Sequence, residues 1–141
     1  LMTAQQIARV QQSWRLIRDL EPRSVGDLFY SRLFVEHPEL RALFPKDMGE
    51  QQEKMVAKFN YVIARLDRMH EMQDELGNLA HRHTGYGTIA QHYEYVGAAL
   101  LWTLQRTLGD DWTPALAADW RTCLDSVSEM MIRLSQKPQT L

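Results

Sequence analysis

From Ile7 to Leu134 the apolar residues of this chain return every three or four positions, and very little interrupts them. Ile7, Val10, Trp14 and Ile17 set the pattern, and Leu116, Trp120, Leu124, Val127, Met131 and Leu134 close it. That step matches the turn of an α-helix, whereas a half-buried strand alternates every second residue. The 7 glycines and 5 prolines cluster at a few break points instead of recurring at the spacing of strand turns. An all-α fold is therefore expected.

The breaks divide the chain. Thr3 and Gln6 read as a capping box for a first helix running to about Leu20. Pro22 opens a second, carrying Val25, Leu28, Phe29, Leu33 and Phe34. Pro38 suits the first position of a short third helix, where its missing N–H costs nothing, with His37 as its cap. A corner, PKDMG, follows. One helix is expected from Glu50 to about Met69 with Gln51, Met55, Phe59, Val62 and Leu66 on one face, and another from about Met72 to Arg82. A long helix spans Ala90 to Leu108 and stops at Gly109. Thr113 and Pro114 cap and open the last one.

The 141 residues suffice for one domain and one core, burying about two thirds of the surface an unfolded chain exposes. With 16 basic and 18 acidic side chains the net charge is -2, which leaves no basic patch for nucleic acid. No apolar run approaches the roughly 20 residues that cross a bilayer. Cys123 stands alone, which points to a reducing, cytoplasmic setting.

LAHRHTGYG, residues 79–87, holds two of the five histidines. With Leu76 at zero on a helical wheel, His83 falls at about 340°, beside Leu79 and Ala80, while His81 falls at about 140° with the solvent-facing residues. A histidine on an apolar face is either a core residue whose nitrogens find backbone partners or a metal ligand. Gln51, at the mouth of the Met55–Phe59–Val62 stripe, either marks the emergence of its helix into water or aims a donor into a cavity. Tyr30, between Phe29 and Phe34, carries the same two readings. His70 lies nineteen residues beyond Gln51, roughly 28 Å along a straight helix, and is no second ligand. No zinc-type spacing occurs.

Four stretches, in order, resemble the globin family from about Gln6 to Met131: DLFYSRLFVEHPELRALF, GEQQEKM, LAHRHTGYG and YEYVGAALLWTL. The likeness is nearest to bacterial single-domain haemoglobins and the haem domain of flavohaemoglobins, and extends to neuroglobin. It implies a single globin domain over residues 1–141, about seven or eight helices around a pocket for haem b, iron protoporphyrin IX. On that resemblance His83 is the iron ligand, and Gln51 and Tyr30 are the polar groups above the iron. Met55, Phe44, Tyr93 and Val96 touch the haem, and Lys54 and Arg82 meet its propionates. Gly85 and Gly87 turn the chain away beneath the haem edge.

The implied function is reversible binding of dioxygen, and of carbon monoxide and nitric oxide, at five-coordinate iron, for oxygen transport or gas sensing. An enzymatic alternative, a nitric oxide dioxygenase for nitric oxide detoxification, would need a separate reductase, because these residues include no flavin or nicotinamide segment. Flavohaemoglobins tie their ligand histidine to a tyrosine and a glutamate. Here Tyr93 matches the tyrosine, but Ser135 stands where the glutamate is expected and Glu129 is the nearest acid, which weakens the enzymatic reading. A haem-free helical interaction module is the third alternative, with His83 a core residue and Gln51 a surface one.

Overall fold

The computed structural model describes residues 2–85 and 87–137. Among these residues there are no strands; the elements are six α-helices and three 3-10 segments. α1 (Ala4–Arg18) begins at the expected capping box, with the Gln6 N–H donating to Thr3 Oγ1 at 3.1 Å and the Thr3 N–H donating to Gln6 Oε1 at 2.8 Å. α2 (Pro22–Glu36) is capped by the Glu21 carboxylate, which accepts from the N–H groups of Arg23 and Ser24. Those backbone bonds hold the Glu21 carboxyl below its ordinary pKa. A 3-10 helix, Pro38–Leu43, leads through the corner to α3 (Gly49–Ala64), and a second, Leu66–Met72, leads to α4 (Gln73–Gly85). α5 (Ala90–Leu108) stops at Gly109, whose φ of +54° suits glycine, and α6 (Pro114–Ser135) starts from the Thr113 cap.

Two local expectations are corrected. The helix expected to reach Met69 ends at Ala64, and the chain tightens to 3-10 geometry. The 3-10 stretch is broken at Arg68, whose φ of -139° and ψ of 48° are not helical, and Leu66 and Met72 on either side of that break are both buried; a continuous α-helix would set them about 120° apart. His37 occupies the N-cap position of the first 3-10 helix but makes no side-chain cap bond. Its ring stacks on Tyr95 of α5 instead, centroids 3.5 Å apart.

α1 is lashed to both neighbours that flank it. The Trp120 indole of α6 donates to Ser13 Oγ at 2.9 Å, the Trp14 indole donates to Asn60 of α3 at 2.7 Å, and Arg9 grips the buried Asp119 carboxylate of α6 with two bonds of 2.6 and 3.0 Å. These bonds satisfy polar groups that the apolar core would otherwise strand, so the helices meet in one arrangement. Cys123 lies in that core, where burial pushes its thiol up to about 12.

α2 crosses α3 at Gly26. A Cβ there would stand 2.6 Å from Gln52 Cβ and 2.9 Å from the Gln52 backbone, so only a bare α-carbon permits this approach. Gly26→Ala forces the two helices apart, and despite alanine's better helix propensity it is expected to lower stability by about 1–3 kcal/mol. Urea unfolding of the variant checks this; a midpoint equal to or above that of the wild type contradicts the close crossing.

Candidate functional site: a cleft between α3 and α4

The fold sends α3 and α4 to different supports. α3 lies mainly on α2 and α4 on α6, and among the described residues the two share no extended interface. They are tied near their connection by the Lys58–Glu75 ion pair, whose ammonium holds the Glu75 carboxyl below its ordinary pKa. Gln51 lies seven residues before Lys58, about 10 Å along α3, and His83 eight residues after Glu75, about 12 Å along α4. Each thus lies about two turns along its own helix from that tie.

On and around those elements some apolar side chains are incompletely covered. Phe44, Met48, Met55, Leu79 and Val96 pack against the core yet remain half-buried, whereas the core beneath them is closed. A cluster of half-covered apolar groups on converging elements is the lining expected of a slot for a flat apolar ligand.

His83 is half-buried, and its Nδ1 lies 2.7 Å from the carbonyl oxygen of Leu79, one turn earlier in α4. A carbonyl can only accept, so Nδ1 carries the proton. In a neutral ring the lone pair then belongs to Nε2, the atom a metal would use. The donor chemistry and the half-covered lining both fit haem. No hydrogen bond joins His83 to a carboxylate among the described residues.

Across the cleft the Gln51 amide donates to the Tyr30 hydroxyl at 3.1 Å. Tyr30 is buried, and burial raises its pKa, only partly opposed by the Gln51 bond, so the phenol stays protonated near neutrality. With its oxygen accepting from Gln51, its own O–H is left to donate elsewhere. Phe44 meets Tyr30 edge-on at 5.3 Å and Phe34 edge-on at 5.4 Å.

The remaining residues fall out as follows. Lys54 and Arg82 are exposed. Tyr93 turns toward α6, lining a groove of about 380 Å³ with Glu94, Asp125, Ser128, Glu129 and Ile132. The Ser135 hydroxyl donates to the Ile132 carbonyl within its own helix. Of the two glycines after His83, Gly87 has a positive φ, +88°, and Gly85 does not, so the turn requires glycine only at Gly87. Sequence reading missed Arg41, whose guanidinium donates to carbonyls of the corner at residues 44–46; its signal was a cation with no acid at helical spacing ahead of a glycine- and proline-marked turn.

This arrangement defines a helical protein with an apolar cleft between a histidine wall and a tyrosine–glutamine wall. The chain belongs to the globin family, whose model, described as Globin, matches residues 27–131. It is similar to the flavohemoprotein of Bacillus subtilis, 30% identical over 115 residues that make up 77% of this chain and 28% of the relative. The flavohemoprotein of Rhizobium meliloti is 27% identical over 106 residues, 73% of this chain and 26% of that protein. The chain thus spans about a quarter of the length of these relatives. In fold it matches a bacterial globin from Campylobacter jejuni, TM-score 0.84 at 20% identity, covering 95% of this chain and 96% of that one. A hexacoordinated heme protein from an anhydrobiotic tardigrade matches with TM-score 0.85 at 18% identity over 96% of both chains.

The burial of Tyr30 has a pH consequence. Its folded pKa lies above the ordinary 10.0, so folding favours the neutral phenol; that contribution is intact below pH 10.0 and is lost as pH rises through the folded value. Wild-type protein is expected to lose more stability than Tyr30→Phe as urea midpoints are followed above pH 10.0. Parallel midpoint curves for the two proteins contradict a buried neutral phenol.

Proposed function

We propose that residues 1–141 form one globin domain that holds haem b through His83 Nε2 and binds dioxygen reversibly, with carbon monoxide and nitric oxide as competing ligands. The observation that carries this reading is the bond from His83 Nδ1 to the Leu79 carbonyl, which leaves Nε2 unprotonated in a half-covered apolar cleft. Membership of the globin family supports it, as do relatives named flavohemoproteins. When bound, the haem would supply an iron centre able to take a diatomic gas.

The chain's own residues do the rest. The Leu79 carbonyl fixes the tautomer and the rotation of the imidazole. The half-buried Phe44, Met55 and Val96 would keep water from the haem, and the exposed Lys54 and Arg82 would meet its propionates, where solvated ion pairs contribute little. Tyr30, whose oxygen accepts from Gln51, would donate its own O–H to a bound gas. A dry, partly charge-assisted bond of this kind contributes about 1.5–3 kcal/mol, or roughly 10- to 150-fold in ligand retention. Glutamine is a poor iron ligand, so Gln51 would not compete with the gas for the iron.

The binding role is favoured over nitric oxide dioxygenation. A carboxylate partner would make the imidazole a stronger electron donor, but His83 is tied to a neutral carbonyl, and Ser135 bonds within its helix. Turnover with nitric oxide would in addition draw electrons from a separate reductase.

His83→Ala is expected to lose stable haem binding, read as the loss of the Soret band after reconstitution; a wild-type spectrum in that variant overturns the ligand assignment. Tyr30→Phe and Gln51→Leu are each expected to speed dioxygen release about tenfold or more in stopped-flow displacement by carbon monoxide. Rates within a factor of about two of the wild type in both variants contradict the donor role.

A further inference from the structure

The corner between the first 3-10 helix and α3 has no regular backbone pairing, yet it carries Phe44 into the cleft. Its three leading carbonyls, those of Phe44, Pro45 and Lys46, accept from one side chain. Arg41 Nη1 donates to Pro45 at 2.8 Å and to Phe44 at 3.4 Å, and Nη2 donates to Lys46 at 2.8 Å. The Arg41 carbonyl in turn accepts from the Phe44 N–H at 3.2 Å, so residue 41 grips the turn by backbone and side chain together. Among the described residues Arg41 makes no ion pair and no other donor reaches those carbonyls.

The grip continues toward the cleft. The guanidinium carbon lies 5.6 Å from the centre of the Phe34 ring, Phe34 meets Phe44 edge-on, Phe44 meets Tyr30 edge-on, and Tyr30 accepts from Gln51. One planar fork thus fixes both the backbone that presents Phe44 and the ring that Phe44 leans on.

We infer that Arg41 is a positioning residue, which clamps the 44–46 turn so that Phe44 covers the haem and holds Tyr30 and Gln51 in register above it. The inference rests on the proposed haem-binding reading. It turns on the shape of the side chain: a guanidinium presents five N–H donors in a rigid plane, whereas a lysine ammonium on a flexible stem cannot span three successive carbonyls while stacking on a ring. Charge alone therefore does not substitute.

The test compares wild type, Arg41→Ala and Arg41→Lys after haem reconstitution. Both variants are expected to surrender haem to excess scavenging apomyoglobin about tenfold faster than wild type. In both, the infrared C–O stretch of bound carbon monoxide, which reports the polarity around the ligand, is expected to broaden or split as Tyr30 and Gln51 lose their single arrangement. Full rescue by lysine overturns the clamp, as does an unchanged C–O band and haem-loss rate in Arg41→Ala, whatever the thermal stability does. A haem-independent arm separates this inference from the functional reading. In haem-free protein the ¹H–¹³C NMR signals of the Tyr30 and Phe44 rings are expected to move in Arg41→Ala. If wild type takes up no haem the functional reading fails, while unmoved ring signals overturn the clamp itself.

Discussion

A carbonyl oxygen accepts and never donates, and the chemistry of this cleft follows from that asymmetry. Because the Leu79 carbonyl sits 2.7 Å from His83 Nδ1, the proton of the imidazole has one place to be, and Nε2 is left with the lone pair. His83 satisfies one nitrogen on the Leu79 carbonyl, and among the described residues the other makes no hydrogen bond to protein, which is compatible with the ligand role proposed above. The half-covered methionine, leucine and aromatic groups around it give that nitrogen an apolar ligand to meet.

On the opposite wall the contacts converge on Tyr30. Gly26 lets α2 approach α3 closely, Tyr30 accepts from Gln51, and Tyr30, Phe34 and Phe44 pack as one aromatic cluster. The buried phenol is neutral because burial penalises its anion, and a neutral phenol whose oxygen already accepts one bond still has one to give. On the histidine wall the bonded partner of the imidazole is a neutral carbonyl.

The helices were legible in the sequence because burial and local geometry repeat with the same period. The boundaries of α5, the Thr3–Gln6 box and the Thr113 cap depend on neighbours within one turn, and they stand where the residues place them. The failures share a cause. The end of α3 at Ala64 depends on where Leu66 and Met72 find a core, and the periodicity of the apolar residues runs unbroken past the break at Arg68, where the backbone leaves helical geometry. His37 stacks on Tyr95, fifty-eight residues away, a contact no local pattern announces. At the site, the wheel placed His83 on the inner face, and the pairing of Tyr30 with Gln51 came from family likeness. The carbonyl that sets the tautomer, the turn of Tyr93 toward α6 and the grip of Arg41 on the corner are facts of three-dimensional placement.

The measurement that tests the account most directly is the resonance Raman spectrum of the haem-loaded, reduced protein in the region of the iron–imidazole stretch. A neutral histidine bonded to a backbone carbonyl predicts a single five-coordinate species with a low-frequency stretch that shifts when the histidines are ¹⁵N-labelled. A high-frequency stretch of imidazolate character, or a six-coordinate spectrum with no such mode, would contradict it.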